Sequence, residues 1–114
     1  MAEVTTTTLR KRTRPVSTLA ETLEILRAHE TAIRTLGATT MFVYGSAARD
    51  QLDPDSDVDL FIDYDPAGPF SFVELFDLRD LASEKLGRRV DMTTRRGLHP
   101  KLRSRIEARA VQVF

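Results

Sequence analysis

Gly45-Ser46-Ala47-Ala48-Arg49, then, after a short polar connection, Ser56-Asp57-Val58-Asp59-Leu60-Phe61-Ile62-Asp63: the rest of the chain is arranged around this stretch. Ahead of it, Thr39-Thr40-Met41-Phe42-Val43-Tyr44 is β-branched and aromatic and reads as a buried strand running into a turn at Gly45. Beyond it, Val58, Leu60 and Ile62 alternate with Asp57, Asp59, Phe61 and Asp63, the period of a second strand. Asp53-Pro54-Asp55-Ser56 between them is loop chemistry.

On the N-terminal side, Thr18-Leu19-Ala20-Glu21 has the capping-box form, and Leu19, Leu23, Leu26, Ile33 and Leu36 recur at helical spacing up to Gly37. One helix of about five turns is expected there. On the C-terminal side, Asp65-Pro66-Ala67-Gly68-Pro69 breaks the chain, and Ser71-Phe72-Val73-Glu74 opens a second long helix over roughly 71–86. Its broad apolar face is Phe72, Leu75, Phe76, Leu78, Leu81, Ala82 and Leu86. Arg88 to Thr93 reads as a third strand, Pro100 as the first position of a last helix, and Ala110 to Phe114 as a terminal strand. The expected fold is α/β (α+β), a small mixed sheet of about four strands with helices packed on it.

A chain of 114 residues holds one core, and 41% hydrophobic with 30% charged residues is the balance of an ordinary globular protein. Residues 1–16 are Thr-rich and basic without periodicity and are expected to form a disordered tail, with residues 17–114 as the domain. An Arg-rich, acid-poor N-terminus also has the composition of a transit peptide. The formal charge is zero, so bulk attraction to nucleic acid or membrane is not the expected activity. Residues 1–15 carry Arg10, Lys11, Arg12 and Arg14 against Glu3, net +3, which leaves the remainder at −3 with much of its acid between Asp50 and Asp65. The absence of cysteine excludes thiolate catalysis and fits a cytoplasmic location, and no apolar run approaches a membrane span.

Residues two apart on a strand share a face, so Asp57 and Asp59 project together. Two carboxylates about 5 Å apart repel by roughly 3 kcal/mol at an effective dielectric of 20, so the pair either holds a proton or wants a cation. Hard oxygen donors suit Mg²⁺ or Mn²⁺, and a two-ion site clamps both oxygens of an in-line displacement. Asp91 is the natural third carboxylate if its strand lies beside that of Asp57 and Asp59; alone, it faces water or pairs with Arg89. Gly45 permits close approach of a ligand, Ser46 opens a short helix with free amides, and Arg49 supplies a cationic fork, all suited to phosphate. Phosphates here and metals at the aspartates together define a nucleoside triphosphate. A calcium loop of the EF-hand kind fails, because position 6 from Asp53 is Val58 and position 12 is Tyr64. Asp53, Asp55, Asp63 and Asp65 read as solvated loop carboxylates. His29, His99, Phe70, Phe72 and Phe76 read as structural, as do Phe42 and Tyr44, although a Tyr beside the turn could touch nucleotide.

Gly45-Ser46, an Arg three residues after the Ser, and Asp57-x-Asp59 eleven residues after it resemble the signature of the DNA polymerase β-like nucleotidyltransferase superfamily, and the size is similar to its minimal (MNT-domain) members. The likeness covers about residues 18–114, including Asp91 and the closing run Pro100 to Glu107. It departs at Asp50, where many members have Gly, which puts a negative charge near the turn. The resemblance implies that Gly45 and Ser46 contact the triphosphate, Arg49 steadies phosphate, Asp57 and Asp59 bind two Mg²⁺ ions, and Asp91 completes the site. It also implies transfer of AMP from ATP to a hydroxyl. With no room for an acceptor-binding domain, the chain looks like an MntA-type antitoxin acting on a tyrosine of a HEPN RNase toxin. A small-molecule, aminoglycoside-type nucleotidyltransferase and a non-catalytic antitoxin acting by binding alone are the alternatives.

Overall fold

The computed structural model describes residues 14–114, so the first thirteen residues of the tail expected over residues 1–16 lie outside the described part. Helices α1 (Leu19–Ala28) and α2 (Glu30–Thr35) lead to β1 (Ala38–Tyr44), a four-residue helix α3 (Gly45–Ala48) and β2 (Val58–Tyr64). Then come α4 (Phe72–Leu86), β3 (Val90–Thr94), a 3₁₀ turn at Arg95–Gly97, α5 (Arg103–Arg109) and β4 (Val111–Gln112). The strands make one mixed sheet in the order β3-β2-β1-β4, with β2 and β3 parallel and the other neighbours antiparallel. This is the α/β architecture that the alternation of periods predicts.

The first helix is not continuous. At His29 the backbone leaves the helical region (φ −109°, ψ 19°), its N–H donates to Leu26 O at 3.1 Å, and its ring Nδ1 lies 2.9 Å from Ile25 O. The apolar stripe crosses this break undisturbed, since Leu26 and Ile33 are both buried. At the start of α1, Thr18 caps the Glu21 amide as expected, but the Glu21 carboxylate accepts from Ser17 N rather than from Thr18. Ser71 and Glu74 form the full reciprocal capping box of α4, and Gly87 ends that helix at φ 70°, a left-handed conformation that costs glycine little. Pro100 does not start the last helix: Leu102 N donates to His99 O, a turn occupies residues 100–102, and α5 begins at Arg103.

Met41, Val43, Val58, Leu60, Ile62 and Val90 face the helices and pack with Leu26, Ile33, Leu75, Leu78, Ala82 and Leu86 in one core. Val16, which the sequence places in the tail, is fully buried in that core; its N–H donates to Leu86 O (3.0 Å) and its carbonyl accepts from Arg88 Nε (2.6 Å). Phe72 and Phe76, expected inside, are exposed at 75% and 50% together with Val73, because α4 packs on the sheet through Leu75, Leu78, Ala82 and Leu86 and none of the described residues forms a layer over its other side. Phe72 and Phe76 stack on each other, and the Arg79 guanidinium lies 5.0 Å from the Phe76 ring centre.

The opposite face of the sheet carries its own small cluster. Phe61 is fully buried, stacked on Phe42 with ring centres 4.8 Å apart, and Arg95 lies over both rings at 5.0 and 5.1 Å. Arg95 makes a two-pronged pair with Asp63 (2.8 and 2.9 Å) and reaches Glu107 on α5 at 2.7 Å, while Thr40 Oγ1 donates to Asp63 at 2.7 Å. Asp63 is therefore a paired, half-buried carboxylate, not the solvated one its loop-rich neighbourhood suggested. The hydrogen bonds from Arg95 hold it below the usual carboxylate range.

Candidate active site

Strand pairing assembles the site. In the β1–β2 ladder Tyr44 stands opposite Asp59, and in the parallel β2–β3 ladder Asp59 stands opposite Asp91. Adjacent strands lie about 4.8 Å apart, so Tyr44, Asp59 and Asp91 form a row across three strands on one face. Asp57 lies just before β2 on the same face, two residues from Asp59. The condition for Asp91 as third carboxylate, that its strand lie beside β2, is met.

The turn reaches the row from β1. Tyr44 is extended and Gly45 turns the chain at φ 69° into α3, with Ala47 buried beneath. A Cβ on Gly45 would collide with Asp59 Oδ2, so glycine is required here by the carboxylate as well as by the backbone angle. Ser46 is half-buried; its carbonyl accepts from Arg49 N and Gln51 N, closing the short helix. Arg49 ends α3, exposed, with Nε on Gln51 Oε1 at 3.1 Å. Asp50 follows at φ 57°, a left-handed position at which glycine is the easy residue and Asp is tolerated. Its Oδ1 accepts from Leu19 N at 2.8 Å, so the charge that departs from the family pattern is spent on the first amide of α1.

The loop into Asp57 is tied down by Arg88, which donates to Asp53 O (2.7 Å), Ser56 O (2.8 Å) and Val16 O. An Asx turn (Asp55 N to Asp53 Oδ1, 2.9 Å) completes the loop. Val58 N donates to Arg89 O at 3.0 Å, and this registers Arg89 beside Asp57, whose Oδ1 accepts from Arg89 Nε at 3.1 Å. The sequence offered Arg89 as a partner for Asp91; the structure pairs it with Asp57 instead.

Asp59 is the electrostatic centre. Half-burial, then Asp91, then Asp57 push its pKa from 3.8 up to about 6. No hydrogen bond from a described residue offsets this. The same enclosure, with Asp59 and Asp91 as neighbours, raises the Tyr44 phenol to about 12, so it stays a neutral O–H at physiological pH. Tyr44 thus belongs to the site. Its sequence signal was its position, one residue before the turn, and strand packing explained it equally well. Arg89 was the other residue missed in this role, and only strand register could have found it. A cleft of about 400 Å³ lined by Asp57, Asp91, Arg79, Asp80, Ser83 and Arg89 adjoins the row.

Asp57, Asp59 and Asp91 fit a hard divalent cation by chemistry, three carboxylates along one sheet face with the central one raised by its neighbours' charge. Among the described residues, no three such side chains are yet closed around a single point, consistent with Asp57 being turned to Arg89.

A family model described as a nucleotidyltransferase domain matches residues 25–113. The chain is 34% identical over 94 residues to MJ1217 of Methanocaldococcus jannaschii, a candidate protein adenylyltransferase, covering 81% of this chain and 94% of that protein. It is 33% identical over 82 residues to the protein adenylyltransferase MntA of Thermococcus cleftensis, covering 71% and 81%. A solved structure described as a candidate minimal nucleotidyltransferase superposes with a TM-score of 0.63 at 33% identity, over 78% of this chain and 93% of that one. A structure of a tri-AMPylated Shewanella oneidensis HEPN toxin in complex with MNT antitoxin contains the same fold, at a TM-score of 0.56 and 14% identity over 81% and 71% of the two chains.

Proposed function

Since this chain belongs to the nucleotidyltransferase domain family, in its minimal form, we propose that it transfers AMP from ATP to a hydroxyl of a partner protein, and that the partner is a HEPN-type toxin modified on tyrosine. The observation that carries the reading is the row formed by strand register: the Gly45 turn, Asp59 and Asp91 side by side, with Asp57 at the edge. Identity of about a third with protein adenylyltransferases over most of the chain supports protein as the acceptor class.

Asp57, Asp59 and Asp91 would hold Mg²⁺, or Mn²⁺, which when bound neutralises charge on the phosphates and the attacking oxygen. The amides after Gly45 and the Ser46 hydroxyl bind the triphosphate, Gly45 letting the backbone approach. Asp91, exposed at the edge strand, takes the acceptor's hydroxyl proton. Tyr44, kept neutral, donates a hydrogen bond at the floor of the site. The α-phosphorus–oxygen bond to pyrophosphate breaks as the bond to the acceptor oxygen forms.

The test is incubation with ATP, Mg²⁺ and the HEPN-domain product of the adjacent reading frame, read by intact mass. Gain of AMP units on the partner, lost in Asp57→Asn with Asp59→Asn, is the expected result. Neutralisation without any mass change overturns it in favour of binding alone.

A further inference from the structure

Arg88 and Arg89 are adjacent but differently employed. Arg88 is committed, with three backbone carbonyls on its guanidinium. Arg89 has an 82% exposed side chain and, among the described residues, a single polar contact, Nε to Asp57 Oδ1; none of them accepts from its two terminal nitrogens. A one-pronged, solvent-exposed ion pair of this kind is weak and exchangeable. It is fixed in place, however, because the Val58–Arg89 backbone bond sets the two residues side by side. The cation therefore sits on one of the three carboxylates that the proposed chemistry requires for metal.

We propose that Arg89 is the resident counter-cation of Asp57 in the metal-free protein, and that a divalent ion enters the site by displacing its guanidinium. The inference rests on the reading of Asp57 and Asp59 as divalent-ion ligands. While Arg89 is in place, one Asp57 oxygen is engaged by its guanidinium and part of the carboxylate's charge is neutralised. When the ion arrives, the carboxylate turns to it and the arginine is freed at the mouth of the cleft it already lines. Arg89 is thus a positioning residue that lowers metal affinity in the empty protein, the reverse of what a merely structural residue would do.

The experiment is Mn²⁺ binding without nucleotide, followed by titration calorimetry, in the wild type, Arg89→Ala, Arg89→Lys, Arg79→Ala and Asp59→Asn. Arg89→Ala should bind Mn²⁺ roughly two- to fivefold more tightly, the range set by removing an exposed ion pair, and the gap should narrow at high ionic strength. Arg89→Lys should stay near the wild type. Arg79 lines the same cleft but is held by Phe76 and Asp80, so Arg79→Ala reports charge at a distance. Binding unchanged or weakened in Arg89→Ala, or tightened equally in Arg79→Ala, overturns the exchange while leaving the metal reading intact. Absence of Mn²⁺ binding in the wild type, or binding unaffected by Asp59→Asn, overturns the metal reading and the exchange with it.

Discussion

Asp59→Asn should stabilise the metal-free protein. Folding raises the Asp59 pKa from 3.8 to about 6 through burial and the charges of Asp91 and Asp57. Between those values the folded state binds more protons than the unfolded one, so stability falls as pH rises through the window, and the cost is complete above about pH 6. Two units correspond to about 3 kcal/mol; because the group is only half-buried, solvent screening reduces this to roughly 1.5 kcal/mol. Asparagine keeps the shape and removes the charge. Near neutral pH the melting temperature should therefore rise by about 5–10 °C, and near pH 4 the gain should shrink to a few tenths of a kcal/mol, since the folded wild type then holds its Asp59 proton and only the lower edge of the window has been crossed. Thermal unfolding followed by circular dichroism across that range, in chelator, measures it directly. Millimolar Mg²⁺ should raise the wild-type midpoint and leave the variant's almost unmoved. A variant less stable than the wild type at neutral pH, or a gain as large at pH 4 as at pH 7, would refute the reasoning.

Arg95→Met removes the pairs to Asp63 and Glu107 that fasten α5 to β2; about 2 kcal/mol should be lost in urea unfolding, less than for a fully buried pair because about a third of each side chain is exposed. Asp63 is depressed by that pairing, so its share of the stabilisation is present above pH 3.8 and fades as pH falls below it, and the variant and wild type should converge in acid. Gly45→Ala should cost roughly 1–3 kcal/mol, from positive φ and collision with Asp59, and should reduce AMP transfer more than a hundredfold in the mass assay. Asp50→Gly should be near neutral, the easier backbone offsetting the lost bond to Leu19, whereas Asp50→Ala should lose about 1–2 kcal/mol in the same urea titration.

What was legible followed from period and local chemistry. The strands around Gly45 and Asp59, the capping box at Ser71 and the Asp57–Asp59 pair all depend on spacings of a few residues, whereas Asp91 joins that pair through strand register. His29 was opaque because the apolar stripe that signals a helix continues across a break made by a single displaced amide. Phe72 and Phe76 misled for a related reason: an apolar face announces that it could be covered, and coverage depends on how many layers the rest of the chain supplies. Asp63 with Arg95 and Asp57 with Arg89 are both 32 residues apart in sequence. Their pairing is a property of strand register, which composition cannot rank against solvation when several arginines compete for several aspartates.

The clip made by Arg88 has a practical side. One guanidinium holds Val16, just ahead of α1, and two carbonyls of the loop that delivers Asp57. Loss of the Val16 carbonyl would therefore loosen the arginine that also holds the loop leading into Asp57. Fusions joined at residue 17, or truncations that remove Val16, would be expected to yield a folded protein with a displaced Asp57, and their silence in an activity screen would say nothing about the chemistry of the intact chain.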